Sequence, residues 1–385
     1  MTTLYVDQEI SGDIAPPEVK LRLRRAAGAT VGAPAVLILH GGNTCSEIYT
    51  VPDGGLAGYL VSKGYDVWLL DWRGSRYVIE PLLARAPLGG SARSERAFFT
   101  FERAAAADIP AALRTIRDAV GPEPRLGLVS WCLSGAVSGI ALSQGLLEPF
   151  AVSACVLMTL GLFCETPWNG WLKAEDYLLE RVLSRDETCR AIDPVAPHAW
   201  PEPLRTAYQR WPSAWLPRGE ELLKPLSFMV GQPFALERLH PELQRASLKR
   251  FFGPLHLGLY LQAGQMVRRG FVAPFDAPEV IDRARLDAAL PLASETRLYL
   301  NPRPFQSTRV TLISAAENRV WHRDSIDLMY EWLRNNGCAN CAKRVMPSYN
   351  IMELLWGANA RNDVFPAVEN GLQSPRPAQV ARAAE

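Results

Sequence analysis

Neither charge dominates this chain: 41 lysines and arginines stand against 40 acids, and neither sign gathers into a long block. That balance excludes the electrostatic footprint of a nucleic-acid or anionic-membrane binder, so partners must be recognised by shape. Long apolar runs are missing too. The most extended, Ala154 to Phe163, has about half of the roughly 20 residues a membrane helix needs and reads as a buried strand. Met1 to Pro17 carries acids and no basic segment followed by an apolar run, so no secretory signal is expected and the default location is cytoplasmic. The seven cysteines (45, 132, 155, 164, 189, 338, 341) are scattered and odd in number, which suits reduced thiols rather than a disulfide framework. No cofactor is implied, and no metal. Cys338-Ala339-Asn340-Cys341 has the spacing of a redox or zinc half-site, but without a second pair or nearby histidines it reads as a solvent-side loop. What is present is ordinary globular usage, 48% apolar and 21% charged, in a chain long enough for one large domain with an insertion or for two ordinary domains.

Strand and helix signals alternate through the first half. Val19, Leu21 and Leu23 alternate with Lys20, Arg22 and Arg24, as in an antiparallel edge hairpin with one wet face. Val36–Leu39, Val67–Leu70, Leu126–Val129 and Val152–Met158 are continuous apolar runs, the mark of parallel strands buried on both faces. Helical patterns lie between them near 56–63, 104–120 and 133–147. From Glu165 to about Leu300 the pattern stops. That stretch is rich in proline and tryptophan (168, 171, 200, 211, 215) and is helical in character, so it reads as an inserted cap. The sheet pattern then resumes at Val310–Ile313, with a helix near 325–335, a strand at 343–346 and a last helix near 363–371. The expected organisation is an α/β core in two parts, 1–164 and 301–373, a cap at 165–300 and a mobile tail at 374–385.

The strongest local signal is Leu128-Val129-Ser130-Trp131-Cys132-Leu133-Ser134-Gly135-Ala136, an apolar strand that turns directly into a helix with small residues two positions either side of Cys132. A strained turn of this kind exposes a nucleophile, and only Cys132 is in register with it. The helix N-terminus is expected to lower the thiol pKa. His40-Gly41-Gly42-Asn43 follows a core strand, and its N–H groups, at Gly42 or Asn43, would converge with that of Leu133 on an oxyanion. An acid is expected after the strand at 310–313, where Glu317 stands. A histidine is expected after the last strand, yet that loop reads Pro347-Ser348-Tyr349-Asn350 and no histidine follows His322. Asn350 cannot take up a proton near neutral pH, which leaves His322, five residues after Glu317, or water as a weak substitute base. The bland alternatives are a buried structural cysteine and a surface histidine.

The order of these motifs resembles the α/β-hydrolase superfamily over about 19–371. It is most similar to the hydrolase-like domain associated with cholesterol-oxidase-type (GMC) oxidoreductases, through the elbow cysteine, Arg250-Phe251-Phe252-Gly253, Ala316-Glu317-Asn318-Arg319 and Trp356-Gly357-Ala358-Asn359-Ala360. A weaker similarity, through the elbow cysteine, is to polyhydroxyalkanoate synthases and dienelactone hydrolases. The resemblance implies a mostly parallel sheet flanked by helices with a mainly helical cap, a hydrophobic small-molecule substrate and an oxidoreductase as a partner. It also maps the usual catalytic histidine onto Asn350. Two functions therefore stand open. One is an acyl hydrolase or acyltransferase acting on an ester, thioester or lactone, with a cysteine nucleophile and a degenerate triad. The other is a weak or inactive protein of the same fold that binds a lipid or sterol-like ligand or a partner oxidoreductase.

Overall fold

The computed structural model describes residues 4–13, 18–175, 183, 188–212, 222–277 and 296–373. Eight strands form the central sheet: β1 (Tyr5–Ser11), β2 (Lys20–Ala26), β3 (Ala35–Leu39), β4 (Asp66–Asp71), β5 (Leu126–Trp131), β6 (Val152–Met158), β9 (Arg309–Ala315) and β10 (Cys341–Met346). Their order is β1-β2-β4-β3-β5-β6-β9-β10. The hairpin β1-β2 joins β4 antiparallel, and the other neighbours run parallel. All five apolar runs read from the sequence thus lie side by side in one sheet. β3, β4 and β5 are buried along their whole length, which is why they carry no alternating polar residues.

Helices cover the sheet. α1 (Gly55–Ser62) packs with the C-terminal helices, while the turn before α3 (Ile109–Val120) packs against α4 (Leu133–Ser143), α2 (Arg76–Leu83) lying between β4 and α3 in the chain. The helix expected over 104–120 opens into a π-turn at Ala104–Asp108. Pro110 has no N–H for the ladder just there, and Asp108 turns inward to meet Arg73 at 2.6 Å with both side chains fully buried. Arg73 belongs to the turn Asp71-Trp72-Arg73-Gly74, whose parts brace the His40 loop. Trp72 Nε1 donates to the His40 carbonyl at 2.8 Å, and Asp71 accepts from the Ser46 amide and the Ser46 and Ser75 hydroxyls.

Between β6 and its neighbour β9 the chain leaves the sheet for 150 residues, 159 to 308. The described part of this excursion holds α5 (Trp168–Glu175), α6 (Glu202–Arg210), α7 (Leu223–Val230), α8 (Leu257–Arg269) and a two-residue ribbon of β7 (Ala191–Ile192) with β8 (Leu255–His256). Trp200, Tyr208 and Trp211 gather around Phe228, with ring centroids 5.2–5.7 Å from it. Trp168 and Trp171 instead face solvent. Trp215 and the expected tail at 374–385 lie outside the described residues. α9 (Asp324–Asn335) returns the chain to β10, and α10 (Phe365–Leu372) closes on β6 and β9. Among the described residues no helix is long and apolar enough to cross a membrane.

The Cys338–Cys341 pair closes the turn between α9 and β10. Cys341 Sγ donates to the Cys338 carbonyl at 3.1 Å and both thiols are free.

Candidate active site

The turn from β5 into α4 is tight because its residues are small and its hydrogen bonds are internal. Ser134 Oγ accepts from the Trp131 amide at 3.0 Å and lies 3.0 Å from the Leu39 carbonyl. Ser130 Oγ meets Ser138 Oγ at 2.6 Å. A Cβ on Gly135 would stand 2.2 Å from the Leu160 carbonyl oxygen, so no larger residue fits there. Cys132 sits at the apex with φ 61° and ψ −134°, a backbone conformation that costs a non-glycine residue about 1–3 kcal/mol. Its own amide bonds the Met158 carbonyl at 3.0 Å, which pins the strained residue to the end of β6.

Three N–H groups face the Cys132 sulfur. Trp321 Nε1 donates to it at 3.1 Å, and the backbone N–H groups of Leu133 and Gly42 lie near enough to favour its thiolate. The glycine loop comes this close because it lacks side chains: a Cβ on Gly41 would lie 2.8 Å from that of Cys132, and one on Gly42 would lie 2.5 Å from Leu133 Cδ1. Asn43, the alternative oxyanion residue, is occupied otherwise. With φ 59°, it accepts from the Tyr260 hydroxyl at 2.9 Å and donates to the Gly253 carbonyl at 3.2 Å, tying the loop to α8 and to the segment before β8.

The thiol pKa is raised, contrary to the helix-terminus expectation. Burial of the sulfur is the largest cause, and the N–H groups of Trp321, Leu133 and Gly42 pull against it without overcoming it. A thiolate here loses more from lost hydration than one helix terminus returns.

The other expected residues are not gathered at the sulfur. The Glu317 carboxylate goes to Arg238, and its amide bonds the Tyr349 carbonyl at 2.9 Å. His322, expected as the substitute base, is half-exposed and pairs through Nδ1 with Asp324 at 3.1 Å. Its neighbour Trp321 points inward instead. Asn350 is buried, but its amide serves the backbone: Oδ1 accepts from the Arg319 and Ile351 amides at 3.1 and 2.7 Å, and Nδ2 donates to the Gln232 carbonyl at 2.9 Å. The acid behind it is Glu353, fully buried, which accepts from the Asn350 and Ala235 amides at 2.8 and 2.9 Å. Asn318 Oδ1 accepts from the Val320 and Trp321 amides at 3.0 and 3.1 Å, fixing the turn that aims the indole.

Sequence reasoning passed over Trp321 because a tryptophan between Val320 and His322 reads as a core aromatic. The signal lies in covalent geometry. In both tryptophan and histidine a ring N–H stands three bonds beyond Cβ in a five-membered ring, so the indole Nε1 can take the place of an imidazole Nε2. An indole only donates, and it cannot receive the thiol proton.

Leu133 and Trp321 border a largely apolar cavity whose walls include Phe228, Val230, Leu255 and Val267, together with Asn43, Tyr260 and, from α5, Lys173.

A family model described as the α/β-hydrolase fold matches residues 34–194. Among solved structures, one described as a lipase in its open form is similar at 12% identity and a TM-score of 0.55, over 96% of this chain and 100% of that one. A soluble variant of monoglyceride lipase from Saccharomyces cerevisiae, in complex with a substrate analogue, is similar at 13% identity and a TM-score of 0.55, over 97% and 95% of the two chains. No curated protein matches the sequence. The strand order, the elbow and these matches define the chain as an α/β-hydrolase-fold protein, with lipases among its structural neighbours.

Proposed function

We propose that the protein transfers acyl groups from hydrophobic esters or thioesters onto Cys132. The observation that carries this reading is the elbow itself: the strained Cys132 stands at the start of α4 with the Gly41-Gly42 loop packed against it, so that the Gly42 and Leu133 N–H groups would hold the oxyanion of a tetrahedral intermediate. Thioesters suit the site best. The Cys132 thiolate attacks the carbonyl, the C–S bond to the donor breaks, and the donor leaves as a thiolate that recovers the displaced proton. Trp321 would favour the thiolate as a donor. Deacylation by water is the difficult half, because no imidazole stands at the sulfur to take a proton from water. The acyl-enzyme should therefore persist, and net hydrolysis should be slow.

Incubation with a medium-chain acyl thioester should add one acyl mass to the native protein and none to Cys132→Ala, read by intact-protein mass spectrometry. Trp321→His should then speed release of the acyl group by about a hundredfold, the usual worth of a positioned base. A native protein that is never acylated would sink this reading.

A second reading, a binding protein without turnover, is favoured by one observation, the raised pKa of the buried thiol. It predicts ligand uptake in the cavity with no adduct at any pH.

A further inference from the structure

One wall of the cavity carries a charge that, among the described residues, has no acid beside it. α5 turns Gly170, Lys173 and Ala174 toward the cavity, the spacing of one helical face, while Trp168 and Trp171 remain exposed. The Lys173 side chain is half-buried in the cavity lining. Nζ donates to the Phe228 carbonyl at 2.9 Å, and among the described residues no carboxylate pairs with it. Burial alone lowers its pKa, to about 8. An ammonium has three donors, so two remain for something inside the cavity. A second polar atom on the same wall is also unsatisfied: Thr166 Oγ1 is buried and has no hydrogen-bond partner. Two other polar residues of the lining, Asn43 and Tyr260, bond each other. Lone buried ammonium groups are costly and are retained where an anion comes to meet them.

We propose that Lys173 anchors a carboxylate on the ligand that fills this cavity, so that the ligand is an apolar chain bearing one negative end. A single cation in an apolar enclosure fits a singly charged group better than a phosphate, which would bring more charge than the walls can match. The inference rests on the proposed acyl-transfer reading only in taking this cavity as the ligand site. Under that reading, the preferred donor is the monothioester of a dicarboxylic acid.

The test separates the two. Cys132→Ala protein, which cannot be acylated, is titrated calorimetrically with decanoate, decanamide and decyl phosphate. Decanoate should bind about tenfold or more tightly than decanamide, the fold-change that a hydrogen bond to a charged group brings. Adding Lys173→Met should erase that ratio, and Lys173→Arg should keep most of it. Equal binding of decanoate and decanamide would overturn the proposal, as would a ratio that survives Lys173→Met. Tighter binding of decyl phosphate than of decanoate would overturn the assignment of a carboxylate. In parallel, native protein is incubated with the monothioester of decanedioic acid and with its methyl ester, and the adduct on Cys132 is followed by mass. A calorimetric preference without any adduct leaves the anchor standing and removes the acyl-transfer reading. An adduct formed equally fast with both donors, alongside equal calorimetric binding, removes the anchor and leaves acyl transfer in place.

Discussion

At the residue scale, the sulfur and the indole decide the chemistry. Cys132 has its pKa raised, chiefly by burial, so alkylation by iodoacetamide should be slow at pH 7 and should accelerate as pH rises through the alkaline range. Replacing Trp321 by phenylalanine keeps an aromatic ring but removes the N–H. A hydrogen bond to a charged group is worth about 1.5–3 kcal/mol, so the thiol pKa should climb by about one unit or more and alkylation at pH 8 should slow about tenfold. An unchanged rate would mean that the 3.1 Å contact does not stabilise the thiolate. Asn350→His should not restore a base, although motif order singles that position out. The Asn350 amide holds two backbone N–H groups and one carbonyl, so an imidazole there leaves buried groups unpaired. A loss of about 1–3 kcal/mol in denaturant unfolding, with no gain in acyl release, is the expected outcome.

At the scale of elements, the sheet was legible in the sequence because parallel strands covered on both faces must be largely apolar, and β3, β4, β5 and β6 are, apart from Asp66, Asp71, Ser130 and Ser153. The elbow was legible for a similar reason: Ser130, Ser134 and Gly135 are small where the strand and helix have no room. Residues whose roles come from distant segments were not legible. Glu353 supports Asn350 and the Ala235 amide together, and nothing in its neighbours announces a fully buried acid. Lys173 is one lysine in a segment without strand pattern, and only the packing of α5 against α8, with the Phe228 carbonyl of α7, places it in the cavity wall. Trp321 and His322 differ by one position, yet one reaches the sulfur and the other the solvent, because Asn318 fixes the turn before them. The glycine loop offers a direct check. Gly41→Ala puts a Cβ 2.7 Å from the Trp131 ring and 2.8 Å from Cys132 Cβ, so the loop that carries the Gly42 amide must move away from the elbow. Acylation of Cys132 should fall by about a hundredfold or more, the worth of one oxyanion donor, while the far-ultraviolet circular dichroism stays native.

For the whole molecule, acid is the condition that should unfold it. His40 is fully buried, and burial lowers its pKa to about 4 against the attraction of Asp71, 3.5 Å away. His256 is buried and lowered for the same first reason, with Glu95 pulling the other way. A histidine whose folded pKa lies below its unfolded value near 6.5 costs nothing above that pH. As pH falls below it the unfolded chain takes up the proton first, and stability drops. For His40 the loss reaches about 3 kcal/mol by pH 4. For Glu95, burial would raise the pKa, but hydrogen bonds with His256 and Arg190 hold it at about 2, so its contribution begins to fade only below pH 4.5. The midpoint of urea unfolding should hold steady from pH 8 to 7 and fall from 6.5 downward. His40→Gln should flatten part of that slope.

The 150-residue excursion between β6 and β9 has a consequence for how the protein can change over generations. Bringing the ends of so long a segment together costs the chain about 4 kcal/mol, but the cost grows only with the logarithm of length, and halving the segment would alter it by about 0.6 kcal/mol. The sheet is therefore nearly indifferent to how much chain is spliced in at that point. Gly170, Lys173, Phe228 and Leu255, which line the cavity, all lie on that spliced segment, whereas Cys132, Gly42 and Leu133 lie on the sheet side. Ligand choice can be rewritten by insertion and deletion without disturbing the elbow, and the two halves of the site are free to diversify at different rates.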